Sequence, residues 1–189
     1  MLGNPYLDAF LKVQGQMESR YFNLTRFTSR SELTTEYAWS IPSKEAIDCI
    51  CKYSPIIEVG AGTGYWASLI NSAGAKIHCY DINPPGITPN DYSHQKQYYP
   101  IQPVQWLKWE KTRNSTLFLC WPPYDDNMAI DCLKKYRGDT LIYIGEGHYG
   151  CTANDAFHNE LDKNWIELEG VNLFQWDGIH DHLTIYRRK

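Results

Sequence analysis

Pro55-Ile56-Ile57-Glu58-Val59-Gly60-Ala61-Gly62-Thr63-Gly64-Tyr65 is the stretch on which the reading of the fold turns. A short apolar run leads through an acid into glycines at alternate positions, and residues Tyr65 to Ala73 beyond them can be helical. That order predicts a strand, a tight turn and the start of a helix. Glycines at 60, 62 and 64 let the backbone turn sharply and let a ligand approach the main chain where a Cβ would collide. The helix start adds free N–H groups and a partial positive charge. The turn is therefore suited to hold a polar ligand bearing a carboxylate or a phosphate.

The spacing narrows the choice of ligand. A dinucleotide fingerprint reads G-x-G-x-x-G. Here the third glycine arrives one residue early, and Glu58 stands two residues before the first. A second strand is expected at Lys76–Asp81, which sets Asp81 21 residues beyond Gly60, the distance a strand–helix–strand unit requires. A carboxylate at that strand end can accept two hydroxyl hydrogen bonds. Ser115-Thr116-Leu117-Phe118-Leu119-Cys120 reads as another buried strand and runs into Trp121-Pro122-Pro123-Tyr124.

These features together resemble the class I S-adenosylmethionine (SAM) dependent methyltransferases. Glu58 with Gly60, Gly62 and Gly64 resembles motif I, whose loop approaches the methionine part of SAM, and Asp81 resembles the acid that binds the ribose hydroxyls. Trp121-Pro122-Pro123-Tyr124 is similar to motif IV of amino-group methyltransferases, in which an Asn, Asp or Ser precedes Pro-Pro and an aromatic. Trp121 departs from that pattern because an indole is a donor only. The resemblance runs from about Ile41 to the C-terminus. It implies a Rossmann-like α/β sandwich with a mostly parallel seven-stranded sheet, a C-terminal antiparallel hairpin and an N-terminal helical extension over residues 1–40. It further implies SAM as cofactor, with Glu58, Gly60, Gly62 and Asp81 on the cofactor side and Trp121, Tyr124 and Glu146 on the acceptor side. The acceptor is expected to be a small molecule or an amino or amide group. A SAM-binding module without transfer activity is the alternative.

Composition bounds the remaining classes. At 189 residues the chain is one domain with a sizeable core, rich in aromatics with 14 Tyr and 7 Trp. No apolar run is long enough to span a membrane, and the N-terminus lacks a signal-peptide layout. A cytoplasmic location follows. The 6 cysteines form no C-x-x-C pair and are expected to be reduced and buried. With 18 basic against 22 acidic side chains, no general footprint for nucleic acid is present.

Along the chain, Asn4 to Tyr21 has helical periodicity, and Asn23 to Thr35 reads as a loop or loose helix. Ser43 caps a helix over Lys44–Tyr53. A long loop covers Ile82 to Pro100. A third strand over Ile101–Val104 is weakened by Pro103, and a short helix follows at Gln105–Lys111. Helices are expected at Asn127–Tyr136 and Ala153–Asp162. Strands are expected at Thr140–Ile144, Trp165–Phe174 and Leu183–Arg187.

Several residues carry two readings. Glu58 is a buried structural acid or a ligand contact, and Trp66 is core or a contact. Tyr37 or Trp39 lines a lid over the cofactor or simply packs. Asp125 and Asp126 form a solvated turn and helix cap or take part in the chemistry. Gly145-Glu146-Gly147-His148 is a plain loop or supplies a base through Glu146 or His148. His180-Asp181-His182 sets two imidazoles on one face of a strand, without a third ligand at a recognised spacing, so no metal is expected; His180 can serve the acceptor pocket.

Overall fold

The computed structural model describes residues 3–15, 22–87 and 96–189, with the side chains of 22–28 left aside. Helices α1 (Pro5–Gly15), α2 (Phe22–Glu36) and α3 (Lys44–Cys51) precede β1 (Ile56–Val59) and α4 (Tyr65–Ser72). Then come β2 (Ile77–Asp81), β3 (Ile101–Pro103), two 3-10 turns at Val104–Trp106 and Trp109–Asn114, and β4 (Thr116–Cys120). Helix α5 (Met128–Lys135), β5 (Thr140–Gly145), α6 (Asp155–Asn164), β6 (Trp165–Asn172) and β7 (His182–Arg188) complete the chain.

The seven strands form one sheet in the order β3-β2-β1-β4-β5-β7-β6. Strands β1 to β5 are parallel, whereas β7 runs antiparallel to β5 and to β6. The strand order reverses direction at β1 and β4, the place in an open α/β sheet where ligands bind beyond the carboxyl ends of the strands. Strands β1 and β5 are buried at every residue, as the apolar runs of a doubly covered parallel sheet require. Period-two alternation divides them between two cores. Ile56, Phe118 and Ile142 face α3 and α4 with Ala46, Ile50 and Trp66, whereas Ile57, Leu117 and Leu141 face α5 and α6 with Leu133, Phe157 and Leu161.

The N-terminal helices close over one end of this sandwich. Tyr6 and Phe10 of α1 are buried with Ile41, Tyr65 and Trp176. The Trp176 indole donates to the Tyr6 hydroxyl at 3.1 Å, and the Asn4 amide donates to the Pro42 carbonyl at 2.7 Å. Burying each large side chain contributes roughly 1.5–3 kcal/mol, enough to hold a short helix that would not persist alone.

One local expectation is revised and two are resolved. The Ser/Thr-rich stretch from Asn23 lies in a regular helix, α2. Its hydroxyls bond back to carbonyls one turn earlier, Thr34 Oγ1 to Arg30 at 2.9 Å and Thr35 Oγ1 to Ser31 at 2.6 Å, so they do not compete with the ladder. The segment expected as a helix at Gln105–Lys111 forms the two 3-10 turns, interrupted by an extended Leu107. Pro103 sits in a three-residue edge strand, where a missing N–H disturbs no further pairing. The end of the expected first helix, residues 16–21, and residues 88–95 of the long loop lie outside the described residues.

Candidate active site

Three glycines shape the turn after β1. Gly60, Gly62 and Gly64 all have positive φ, at 78°, 55° and 73°. Gly62 has open space where a Cβ would stand, whereas a Cβ on Gly64 would meet Tyr99 Cβ at 3.1 Å and its nitrogen at 3.2 Å. Only the movable end of the Met128 side chain would meet a Cβ on Gly60. The turn is tied to the end of β2, since Asp81 Oδ2 accepts the Gly62 N–H at 2.9 Å and Oδ1 accepts the Asn83 N–H at 2.8 Å. The Thr63 hydroxyl donates to the Tyr37 carbonyl, which anchors the same turn to the segment after α2. Tyr37 in turn stacks on Tyr6 at 5.3 Å and on Tyr98 at 5.6 Å.

Glu58 lies beneath the turn at 2% exposure. The Cys79 thiol donates to its Oε2 at 3.3 Å. Burial pushes the Glu58 carboxyl from 4.5 up to about 8, with the Cys79 hydrogen bond opposing and the Asp81 charge adding to the rise. It is thus mostly protonated at neutral pH. Burial also raises Asp81, partly offset by the N–H groups that it accepts.

Across the cleft, Trp121 leaves β4 with φ at 53°, a left-handed conformation that costs a non-glycine residue on the order of 1–3 kcal/mol. Three contacts offset the strain. Its indole donates to Asp181 Oδ2 at 2.8 Å, its backbone N–H donates to the Ile144 carbonyl at 2.8 Å, and its ring stacks on Trp39 at 5.5 Å. Pro122 accepts the Ala153 N–H at 2.8 Å, and Pro123 bridges to Thr152. The Pro-Pro segment is thereby bonded to the loop after β5. Tyr124 is 60% exposed at the rim.

Glu146 occupies the junction of two loops. Its Oε2 accepts the Cys151 N–H and its Oε1 the His180 N–H, both at 2.7 Å. Burial alone would raise this carboxyl, but the two main-chain donors outweigh it and hold it below the usual range. A carboxylate with both oxygens engaged and its pKa lowered is a clasp rather than a ready proton acceptor. Asp181 is 1% exposed; burial raises it against the stabilisation from the Trp121 indole, and its Oδ1 has no partner among the described residues.

Glu58, Gly60, Gly62, Asp81, Trp121, the Pro-Pro segment, Tyr124 and Glu146 line one cleft of about 1500 Å³ at the carboxyl edge of the parallel strands. Magnesium protoporphyrin IX methyltransferase from Synechocystis PCC 6803, with bound SAM, is similar in structure with a TM-score of 0.51. The two share 12% identity over 97% of this chain and 91% of that one. The same enzyme with bound S-adenosylhomocysteine (SAH) gives a TM-score of 0.51 at 11% identity, covering 97% of this chain and 94% of that one. The chain has the class I SAM-dependent methyltransferase fold. A third similar structure is 1,6-didemethyltoxoflavin-N1-methyltransferase from Burkholderia thailandensis, at 12% identity and a TM-score of 0.48, covering 100% of this chain and 92% of that one. No family model matches the sequence, and no curated protein does.

Within this methyltransferase fold, Glu58, Gly60, Gly62, Asp81, Trp121, Tyr124 and Glu146 all line the same cleft, as do Tyr37, Trp39, Asp125 and Asp126. Trp66 is 2% exposed and packs edge-on against Phe118, yet part of it also reaches the cleft wall. Asp126 Oδ1 accepts the Met128 N–H at the start of α5. His148 pairs with Asp162 at 2.9 Å on the outer surface. The two imidazoles of His180-Asp181-His182 do not share a strand face, because β7 begins only at His182. Among the described residues no group of three metal-ligating side chains occurs. The cysteines are all free thiols, but only Cys49, Cys79 and Cys132 are buried, and Cys151 is exposed. Among the described residues no helix is long and apolar enough to cross a membrane. Arg30, Met128 and Asp181 carry no local sequence pattern that marks them for the cleft; Asp181, for example, lies 60 residues from the Trp121 that it bonds.

Proposed function

We propose that the chain is a SAM-dependent methyltransferase acting on a small molecule or on an amino or amide group. The observation that carries this reading is the convergence of the glycine turn, Glu58 and Asp81 on one cleft at the strand switch point. The residues present fit SAM. Gly60 and Gly62, both left-handed, expose main chain to the cleft, Gly62 leaves open space, and a buried acid without a basic partner among the described residues faces the cleft. SAM, when bound, supplies an activated methyl group as a sulfonium.

In this reading Gly60 and Gly62 present main chain to the methionine part, Glu58 receives its ammonium, and Asp81 receives the ribose hydroxyls. A cleft of about 1500 Å³ exceeds the usual volume of a single-ligand site, leaving space for an acceptor beside the cofactor. Trp121 and Tyr124 flank the acceptor, and Trp39 and Tyr37 roof the site from the N-terminal extension, residues 1–40. Glu146 acts as a positioning residue that keeps the 146–153 loop against the Pro-Pro segment. Alignment of the two reactants and exclusion of water then account for most of the acceleration.

A net charge of −4 and, besides the protonated Glu58, five carboxylates against two bases on the cleft wall weigh against a nucleic acid acceptor. Free thiols suit a cytoplasmic setting. Calorimetric titration with SAM and with SAH tests the reading: micromolar binding of both is expected, and no binding of either by a folded sample overturns it. A second reading, a SAM-binding module without turnover, draws on the Trp121 indole and both Glu146 oxygens being already engaged. Tight SAH binding with no transfer across an acceptor panel would favour it.

A further inference from the structure

Arg30 of α2 lines the cleft. Among the described residues its buried Nε has no hydrogen-bond partner and no carboxylate pairs with its guanidinium. This stands out in a cleft whose wall carries Glu58, Asp81, Asp125, Asp126, Asp131 and Glu146. A guanidinium stays charged in a protein, and a charge partly withdrawn from water without a counter-ion is unfavourable. Lys135, the other base on the wall, is exposed and solvated.

The position of Arg30 is informative. Burial raises the Cys151 thiol and the Tyr6 hydroxyl, and the positive charge of Arg30 is among the causes opposing both rises. Its charge thus reaches Cys151 in the loop after β5 and Tyr6 of α1. The aromatic walls lie on the same cleft, with Trp39 and Trp121 stacked 5.5 Å apart and Tyr149 99% exposed. A guanidinium fork matches a carboxylate or a phosphate with two parallel hydrogen bonds. Flat aromatic surfaces match a planar ring.

We infer that Arg30 binds the anionic group, carboxylate or phosphate, of a planar aromatic methyl acceptor and so selects the acceptor class. This deepens the methyltransferase reading of the cleft and rests on it. Among the described residues, whose charged side chains on this wall are mostly acidic, the partly buried Arg30 guanidinium is a point that attracts an anion.

Benzoate, phenyl phosphate and the neutral benzamide serve as probes, titrated into the full chain with and without saturating SAH and followed by ligand-observed NMR. The wild type is expected to bind at least one anionic probe about tenfold or more tighter than benzamide. Arg30→Gln should abolish that preference and leave benzamide and SAH affinity in place. The stronger of the two anions identifies a carboxylate or a phosphate. Should Arg30→Gln fail to fold, Arg30→Lys, which keeps the charge without the fork, should show a reduced preference in the same titrations. Equal binding of charged and neutral probes by the wild type, or a preference that survives substitution, would overturn the inference. A fall in SAH affinity that parallels the substitution would assign Arg30 to the cofactor instead. If the wild type binds no SAH, the methyltransferase reading fails, and the probes still report on Arg30 in the SAH-free protein.

Discussion

In a Glu58→Gln variant the amide retains the shape of the buried acid but cannot ionise. Burial pushes Glu58 from 4.5 to about 8 in the folded protein, so between those values the native chain holds a proton that the unfolded chain has released. The sign follows from linkage. Stability tied to this group is fully present below 4.5, declines as pH rises, and is lost once pH passes about 8. The slope is about 1.4 kcal/mol per pH unit, so the loss between pH 5 and pH 7 is roughly 3 kcal/mol. Against a total stability of about 5–15 kcal/mol for a domain, that is readily measured. Asp81 and Asp181 are raised by burial as well and act in the same direction, so the comparison must be variant against wild type rather than wild type alone. Urea unfolding followed by circular dichroism at a series of pH values provides it. The Glu58→Gln advantage should grow by roughly 3 kcal/mol from pH 5 to pH 7 and level off above about 8. A difference constant to within about 0.5 kcal/mol across that range would refute the argument that Glu58 holds its proton in the folded state.

Asp81→Ala removes the acceptor of the Gly62 and Asn83 N–H groups and should weaken SAH binding tenfold or more, on the order of 1.4–3 kcal/mol, by calorimetry. Unchanged affinity would remove Asp81 from the site. Trp121→Phe deletes the indole donor and leaves the buried Asp181 carboxylate without its 2.8 Å partner, so a destabilisation of about 1–3 kcal/mol is expected in urea unfolding. A variant as stable as wild type would show that this hydrogen bond does not hold the turn. Glu146→Gln has one acceptor oxygen where the clasp needs two; turnover should fall while SAH affinity is kept. Loss of SAH affinity instead would place Glu146 on the cofactor side.

The strands and helices that build the sheet were legible because each is encoded locally. Ile56–Val59, Thr116–Cys120 and Thr140–Gly145 are short apolar runs bounded by turn residues, and Ser43 marks the start of α3, accepting the Ala46 N–H at 3.1 Å. Where local preference is weak, the sequence left two readings open or pointed to the wrong element. Helix α2 contains residues that favour turns when isolated, which left a loop or a loose helix open; within it Thr34 is buried at 3% exposure and its hydroxyl bonds back along the helix. The segment after β3 lacks a continuous apolar face and breaks at Leu107, so it forms 3-10 turns.

The candidate site divides along the same line. Gly60, Gly62, Gly64, Glu58 and Asp81 belong to one strand–turn–helix–strand unit, and a spacing pattern suffices to find them. That Asp181 takes up the Trp121 indole, that Glu146 engages both oxygens with the Cys151 and His180 N–H groups, and that Arg30 reaches the cleft without a counter-ion among the described residues emerge only from folding. Backbone geometry and hydrophobic periodicity act over a few residues and can be read from a string. Protonation, pairing and access depend on which side chains, 60 residues apart in the case of Trp121 and Asp181, are brought together out of water.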